Sequence, residues 1–281
     1  MSIVHKYLRT RKRFPHVWCS GCSDGIVLAA LTRAIHKLQL HRDDVVLVSG
    51  IGCSSRAPVY VDFNTLHTTH GRALPFATGV KIANPKLQMI IITGDGDALA
   101  IGGNHFIHTC RRNIDMTAIV FNNYIYGMTG GQLSPTTPFG KIASTSPYGS
   151  WDNPMPVCEL AIAAGATFVA RGTSYHARQL DMLIEKGIKH KGFSVIEVMS
   201  TCPTIYGRLN KLGNPTQMLL WQKSNAMSVQ SWQKLSTEEE KQQAKEEKII
   251  TGVLHETEKP EYTKEYQKII DRYQTKEFER V

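Results

Sequence analysis

No glutamate occurs before Glu159 in this 281-residue chain. The stretch from Trp18 to Pro138, where most of the motifs below lie, therefore holds none. Long apolar runs are also missing. The strongest, Met89-Ile90-Ile91-Ile92, is strand-sized, against the roughly 18 residues needed to span a bilayer. Of six cysteines, only Cys19 and Cys22 form a C-x-x-C; the second close pair that usually marks a zinc site is lacking. The N-terminus, MSIVHKYLRTRKRF, is basic with no apolar core after it. That excludes a secretory signal and sets a cytoplasmic expectation, under which structural disulfides are not expected. Cys110 and Cys158 are expected as half-buried thiols. There is no internal repeat and no nucleic-acid recognition motif. A basic cluster at Arg9–Arg13 is expected as a flexible arm.

At 42% hydrophobic and 20% charged residues, the composition suits one α/β domain with appendages. Charge is uneven. Residues 235–281 carry nine Lys/Arg and twelve Asp/Glu, so the chain's net +9 leaves +12 on residues 1–234. A basic body attracts phosphorylated cofactors or an acidic protein, or is simply a solvated surface. Apolar spacing predicts helices over 24–37, 72–84, 99–112, 157–165 and 175–190. Short apolar runs predict strands at 45–50, 88–97 (breaking into a Gly/Asp turn), 116–123, 166–171 and, last, 193–200. The alternation predicts a mostly parallel sheet with helices on both faces. Residues 124–155, rich in Gly, Pro, Ser and Thr, read as a long loop, and 203–234 as irregular. Residues 236–248 and 261–281 read as charged helices without a broad apolar face. The expected division is a basic lead-in over 1–17, a ligand-binding domain over 18–210, and an extension over 211–281 packing on a partner.

Gly94-Asp95-Gly96 follows one expected strand, and Asn122-Asn123 ends the next. The 25 residues between them fit one crossover helix, so both end at the same edge of the sheet, where open α/β sheets bind ligands. Mg²⁺ takes oxygen ligands and is usually shared with phosphates. Asp95 offers a carboxylate and Asn123 an amide oxygen. Glycines beside Asp95 admit a diphosphate close to the backbone, and a helix opening near Leu99 aims N–H groups at it. Gly-Asp-Gly alone is a common turn; with Asn-Asn at this spacing it is much more specific.

Cys53 follows the first strand in Ile51-Gly52-Cys53-Ser54-Ser55-Arg56, and Cys202 follows the last in Thr201-Cys202-Pro203. With Cys19 and Cys22 they make four thiolates, enough for a [4Fe–4S] cluster or a tetrahedral zinc.

The GDG…NN pattern resembles the diphosphate motif of thiamine-diphosphate enzymes. Together with Trp18–Cys22, Ile51–Arg56, His70–Pro85 and Tyr126–Pro138, it resembles the β subunit of the 2-oxoacid:ferredoxin oxidoreductases over about residues 15–210. Tyr126–Pro138 looks more like the 2-oxoglutarate branch than the pyruvate branch. The resemblance implies thiamine diphosphate held through Mg²⁺ on Asp95, Asn123 and the carbonyl of Ile125. It implies a [4Fe–4S] cluster on Cys19, Cys22, Cys53 and Cys202. Ile51, Gly52, Cys53, Ser54, His70, Gly94, Asp95, Gly96, Asp97, Gly127, Met128 and Thr129 would surround the cofactor. His70 and Arg72 are catalytic candidates, and Arg56 a second carboxylate or phosphate partner; His105 and His108 are expected to pack.

The implied reaction is coenzyme A-dependent oxidative decarboxylation of a 2-oxoacid, or its reverse, with ferredoxin taking the electrons. Thiamine enzymes also need a glutamate against the aminopyrimidine ring. Its absence before residue 159 implies an α subunit that brings it, in an (αβ)2 assembly. Gly130 stands where some broad-specificity members have lysine, and Ser20 and Ser23 stand where proline and glycine are commoner. A pyruvate or broad-range enzyme, a non-redox decarboxylase or carboligase with zinc or no metal on the cysteines, and a non-enzymatic carrier module remain alternatives.

Overall fold

The computed structural model describes residues 2–9 and 16–274. Ten strands form in chain order: β1 Val45–Ser49, β2 Asn64–His67, β3 Gln88–Gly94, β4 Met116–Asn122, β5 Ile125–Tyr126, β6 Gln132–Leu133, β7 Phe168–Thr173, β8 Phe193–Met199, β9 Ala226–Ser228 and β10 Ile249–Glu256. The α-helices are α1 Asp24–Lys37, α2 Ala57–Tyr60, α3 Ala73–Ala83, α4 Gly103–Arg112, α5 Val157–Ala163, α6 Ala177–Lys189, α7 Pro215–Asn225, α8 Val229–Gln233, α9 Glu238–Glu247 and α10 Tyr262–Gln274.

Eight strands make one sheet, ordered β2-β1-β3-β4-β8-β7-β10-β9. Every neighbouring pair is parallel except β10 with β7. The central strands read as continuous apolar runs because they are covered on both faces. Their alternation survives as a division of labour. Ile90 and Ile92 of β3 pack into the core with α1 and α6, beside Val27, Leu31, Ile35 and Ile184. Met89 and Ile91 pack into the opposite core with Leu74, Phe106 and Ala161 from α3, α4 and α5. A bidentate pair, Arg33 to Asp181 at 2.7 Å through both nitrogens, ties α1 to α6. No helix of the described residues is long and apolar enough to cross a membrane.

The structure corrects the reading of the C-terminal third. The strand expected last, at 193–200, is followed by β9 and β10, which extend the main sheet beyond residue 210. Residues 203–234 are not irregular. They include α7, whose start has Asn214 and Gln217 capping each other and Pro215 in the first turn. The helix expected at 99–112 opens as a π-helical turn over Asp97–Ile101 before α4 begins. The expected loop at 124–155 contains the β5–β6 hairpin. Of the Arg9–Arg13 cluster, Arg9 donates to Val61 O at 2.8 Å and Thr65 Oγ1 at 2.9 Å; the rest lies outside the described residues, as does the expected helix beyond Gln274.

Helix α10 is held by its preceding residue. The buried Glu261 carboxylate accepts from the N–H groups of Asp115 (3.0 Å), Thr263 (2.9 Å) and Lys264 (2.9 Å) and from the Thr263 hydroxyl (2.7 Å). Burial pushes the Glu261 pKa up, but these donors outweigh it and leave it below the usual glutamate value. A depressed folded pKa stabilises at neutral pH, and that contribution is lost as pH falls through it. Glu261→Gln is expected to cost about 1–2 kcal/mol at pH 7. The cost should shrink as pH falls below the usual glutamate value, because the carboxylate's contribution is lost as pH drops through its depressed folded pKa. Urea melts of parent and variant at pH 7 and pH 3.5 check this; an equal cost at both would contradict it.

Candidate functional site

Three strand ends build the site at the carboxyl edge of the sheet, where the strand order diverges from β1 towards β2 and towards β3. After β1 the chain turns through Gly50–Cys53. After β3 it turns at Gly94–Gly96. After β4 it turns at Asn122–Tyr124, with Tyr124 in the left-handed region at φ 65°. These turns border one cleft. The structure brings to it Ile51–Ser54, His70, Gly94–Asp97, Asn123, Ile125 and Gly127–Thr129. Phe121 and Tyr126 complete the lining; neither was expected from sequence. Arg72 does not reach the cleft. Its guanidinium meets His105 of α4, whose pKa is lowered by partial burial and then by that charge. Arg56 lies 3.9 Å from the Met128 sulfur at the rim.

Asp95 is 3% exposed. Burial raises its pKa to about 6, and hydrogen bonds from Ser134 and Thr136 only partly oppose this. Both hydroxyls donate to Oδ2, each at 2.6 Å. A buried carboxylate with no cation of its own is the donor a divalent ion requires. Asn123 Oδ1 accepts from Ile125 N–H at 3.2 Å, folding the turn that carries both groups. The glycines split in function. A Cβ on Gly96 would fall 2.3 Å from the Tyr126 ring, so protein packing demands glycine there. A Cβ on Gly94 would meet nothing nearer than Ser54 Oγ at 3.5 Å, and Gly52 (φ 119°) has open space. Around Gly52 and Gly94 the backbone is left bare towards the cleft, as a diphosphate needs.

Asp97, 3% exposed, lines the cleft, and its carboxylate is taken up by protein donors. Oδ1 accepts from Gly71 N–H (2.7 Å), Ile51 N–H (3.2 Å) and His70 Nδ1, and Oδ2 from Thr93 Oγ1 (2.7 Å). An acceptor-only carboxylate at Nδ1 puts the proton there, so Nε2 is the ring nitrogen with a free lone pair. Asp97→Asn replaces one carboxylate oxygen by a donor facing donors. It is expected to cost about 2–3 kcal/mol of stability and to loosen Ile51 and His70 together. His70→Ala, with half-exposed His70, should leave thermal stability nearly unchanged. Melting curves of both variants distinguish them; equal losses would contradict this division.

The cysteines collect beside the cleft. A Cβ on Gly127 would lie 3.4 Å from Cys202 Sγ and 3.7 Å from Cys53 Sγ, so both sulfurs border one spot. Burial raises the pKa values of Cys22, Cys53 (to about 12) and Cys202, and the mutual charges add to this: Cys22 feels Cys53 and Cys202, and both of those feel Cys19. Asp24, 1% exposed, raises all three further. Ser23 Oγ accepts from Thr201 N–H at 2.7 Å and ties the C-x-x-C turn to the strand end that carries Cys202. Trp18 Nε1 donates to Cys53 O at 2.7 Å. Among the described residues, no three His, Cys, Asp or Glu side chains close on one point as tightly as a single ion needs. Cys110 and Cys158 are fully buried in the core, not half-buried.

Residues 50–198 match the family described as "Thiamine pyrophosphate enzyme, C-terminal TPP binding domain". The chain belongs to that family of thiamine-diphosphate enzymes. Within it, the chain belongs with the KorB subunits of 2-oxoglutarate synthase. It is 52% identical over 267 residues to "2-oxoglutarate synthase subunit KorB" of Methanocaldococcus jannaschii, covering 95% of this chain and 97% of the relative. The KorB of Archaeoglobus fulgidus is 59% identical over 198 residues, 70% of this chain and 73% of its own. Among solved structures, the 2-oxoglutarate:ferredoxin oxidoreductase from Magnetococcus marinus with 2-oxoglutarate, coenzyme A and succinyl-CoA bound matches with TM-score 0.85 at 33% identity. The match covers 96% of this chain and 90% of that one.

Proposed function

We propose that the chain is the β subunit of a 2-oxoglutarate:ferredoxin oxidoreductase, working with an α subunit in an (αβ)2 assembly in the cytoplasm. Asp95, Asn123 and the Ile125 carbonyl would hold Mg²⁺ and through it thiamine diphosphate. Cys19, Cys22, Cys53 and Cys202 would hold a [4Fe–4S] cluster. The observation that carries this reading is the position of Cys53: it lines the cofactor cleft and belongs to the cysteine group. An electron leaving the cleft has only a short path to the cluster. When bound, thiamine diphosphate supplies an electron sink and the cluster a one-electron acceptor.

This chain's own residues would bind, orient and shield. Asp95 and the Asn123 turn fix the diphosphate. Ile51 and Met128 narrow the mouth against water. His70, held by Asp97, offers Nε2 to a substrate or intermediate proton. The aminopyrimidine glutamate, missing before residue 159, would come from the α subunit. Coenzyme A and the 2-oxoacid would enter at the junction of the two subunits.

The test is anaerobic co-purification with the α subunit, followed by iron, sulfide, zinc and thiamine diphosphate analysis of one sample. About four irons and one thiamine diphosphate per chain are expected. Ferredoxin reduction should be faster with 2-oxoglutarate than with pyruvate. Thiamine diphosphate with zinc, or without iron, would leave a non-redox thiamine enzyme in its place.

A further inference from the structure

Glu197 is the one carboxylate in β8, a strand buried along its whole length. It is 3% exposed and lies level with Arg171 on β7 and Val120 on β4. Its Oε2 accepts from Arg171 Nε at 2.6 Å and from the Cys158 thiol at 3.2 Å. Its Oε1 accepts from Asn122 Nδ2 at 2.7 Å. Burial alone would raise its pKa. Arg171, Asn122 and Cys158 together reverse that and hold it below the usual glutamate value. The strand thus keeps a charged acceptor two residues short of its end, in a place an apolar side chain would fill at lower cost.

The consequence reaches the cofactor cleft through one side chain. Because Glu197 only accepts, Asn122 must turn its amide nitrogen to it. Its Oδ1 then faces the other way, accepting from Tyr124 N–H at 3.2 Å, with Thr136 Oγ1 2.9 Å away. The contact with Tyr124 shapes the left-handed turn that carries Asn123 and Ile125. The one proton of the Thr136 hydroxyl goes to Asp95 Oδ2, at 2.6 Å. Two of the groups proposed above as magnesium ligands, Asn123 and the Ile125 carbonyl, therefore depend on the orientation of the Asn122 amide. Glu197 itself does not touch the cleft.

We infer that Glu197 is a positioning residue for the magnesium–diphosphate site, acting through Asn122; this rests on the function proposed above. Glu197→Gln presents a single acceptor oxygen, so it satisfies Arg171 or Asn122 but not both. Asn122 is then free to flip, and the ligand turn loses its fixed geometry.

The experiment measures thiamine diphosphate binding to the assembled complex by equilibrium dialysis across a magnesium series. The Glu197→Gln complex should need about 10–100-fold more Mg²⁺ for half-saturation, with iron content unchanged. Asn122→Ala, which leaves the Arg171–Glu197 pair intact, should show the same shift. The double variant should be no weaker than Asn122→Ala alone, because the two act in series. An unchanged magnesium requirement in Glu197→Gln, even with a lowered melting temperature, would overturn the inference, as would additive losses in the double variant. If Glu197→Gln does not assemble, Asn122→Ala decides, and a parental magnesium requirement there overturns it. A parental complex that binds no thiamine diphosphate at any magnesium level overturns the proposed function itself, and this inference with it.

Discussion

Asp95→Asn is expected to weaken magnesium-dependent thiamine diphosphate binding by at least about a hundredfold and to make the cofactor-free chain more stable. The two effects have one cause. In the folded chain the Asp95 pKa is raised by burial to about 6, so at pH 7 the protein holds an ionised carboxylate that it solvates poorly. A raised folded pKa means that the ionised form destabilises the native state at all pH values above it. Neutral asparagine removes that cost, on the order of 1–3 kcal/mol, while its amide still reaches Ser134 or Thr136. A carboxylate placed for the fold would show the opposite. Calorimetric melting without cofactor, and dialysis with magnesium and thiamine diphosphate, check the two halves. A destabilised cofactor-free chain, or binding within a few-fold of the parent, would remove Asp95 from the metal site.

Replacing Cys53 or Cys202 by serine is expected to abolish ferredoxin reduction and strip most of the iron. Thiamine diphosphate binding should survive in Cys202→Ser, because Cys202 does not line the cleft. Burial and mutual repulsion oppose thiolate formation here, so the uncharged group is disfavoured only when a cation is present to share. One missing ligand should therefore release the cluster and not merely shift it. Cys110→Ser is the control: that thiol is fully buried in the other core, so the variant loses packing but keeps its iron. Iron analysis and electron paramagnetic resonance of the dithionite-reduced complexes read the result. Full iron in Cys53→Ser and Cys202→Ser would dismiss the cysteine assignment; zinc in the parent would dismiss the redox reaction.

The central sheet and the cleft were legible in the sequence for the same reason. β1, β3, β4 and β8 are buried on both faces, so each shows as an unbroken apolar run. The residues just past their ends must then share one edge. What was not legible depends on tertiary partners. β2, polar and half-exposed at the sheet margin, has no run to show. Ile249–Leu254 is a largely apolar run, but it stands between charged helices and contains Gly252, so from sequence alone it reads as part of an appendage. The Asn214/Gln217 cap of α7 has a sequence signal, Asn-Pro-Thr-Gln, inside a stretch whose glycines and prolines otherwise read as irregular. Asp97 sits in Gly-Asp-Gly-Asp like a ligand, and only the π-helical turn shows that it faces His70. Arg72 follows His70-Gly71 in sequence, yet its side chain leaves towards α4. Glu197 gave one signal, an acid inside Val-Ile-Glu-Val, which points to burial but not to what is buried with it.

Because β10 pairs with β7 from some eighty residues downstream, the order of synthesis matters. When the ribosome has made Cys202, every residue proposed here for the two cofactor sites exists, but the open side of β7 has nothing to pair with. An unpaired edge of that kind invites other chains. The edge is covered only after Glu256 has emerged and β10 has docked, with β9 beside it. Newly made chains that stall between those two points would be able to gather cofactors and would still be prone to aggregate. A chain cut before Ile249, which lacks β10, would stay in that state permanently.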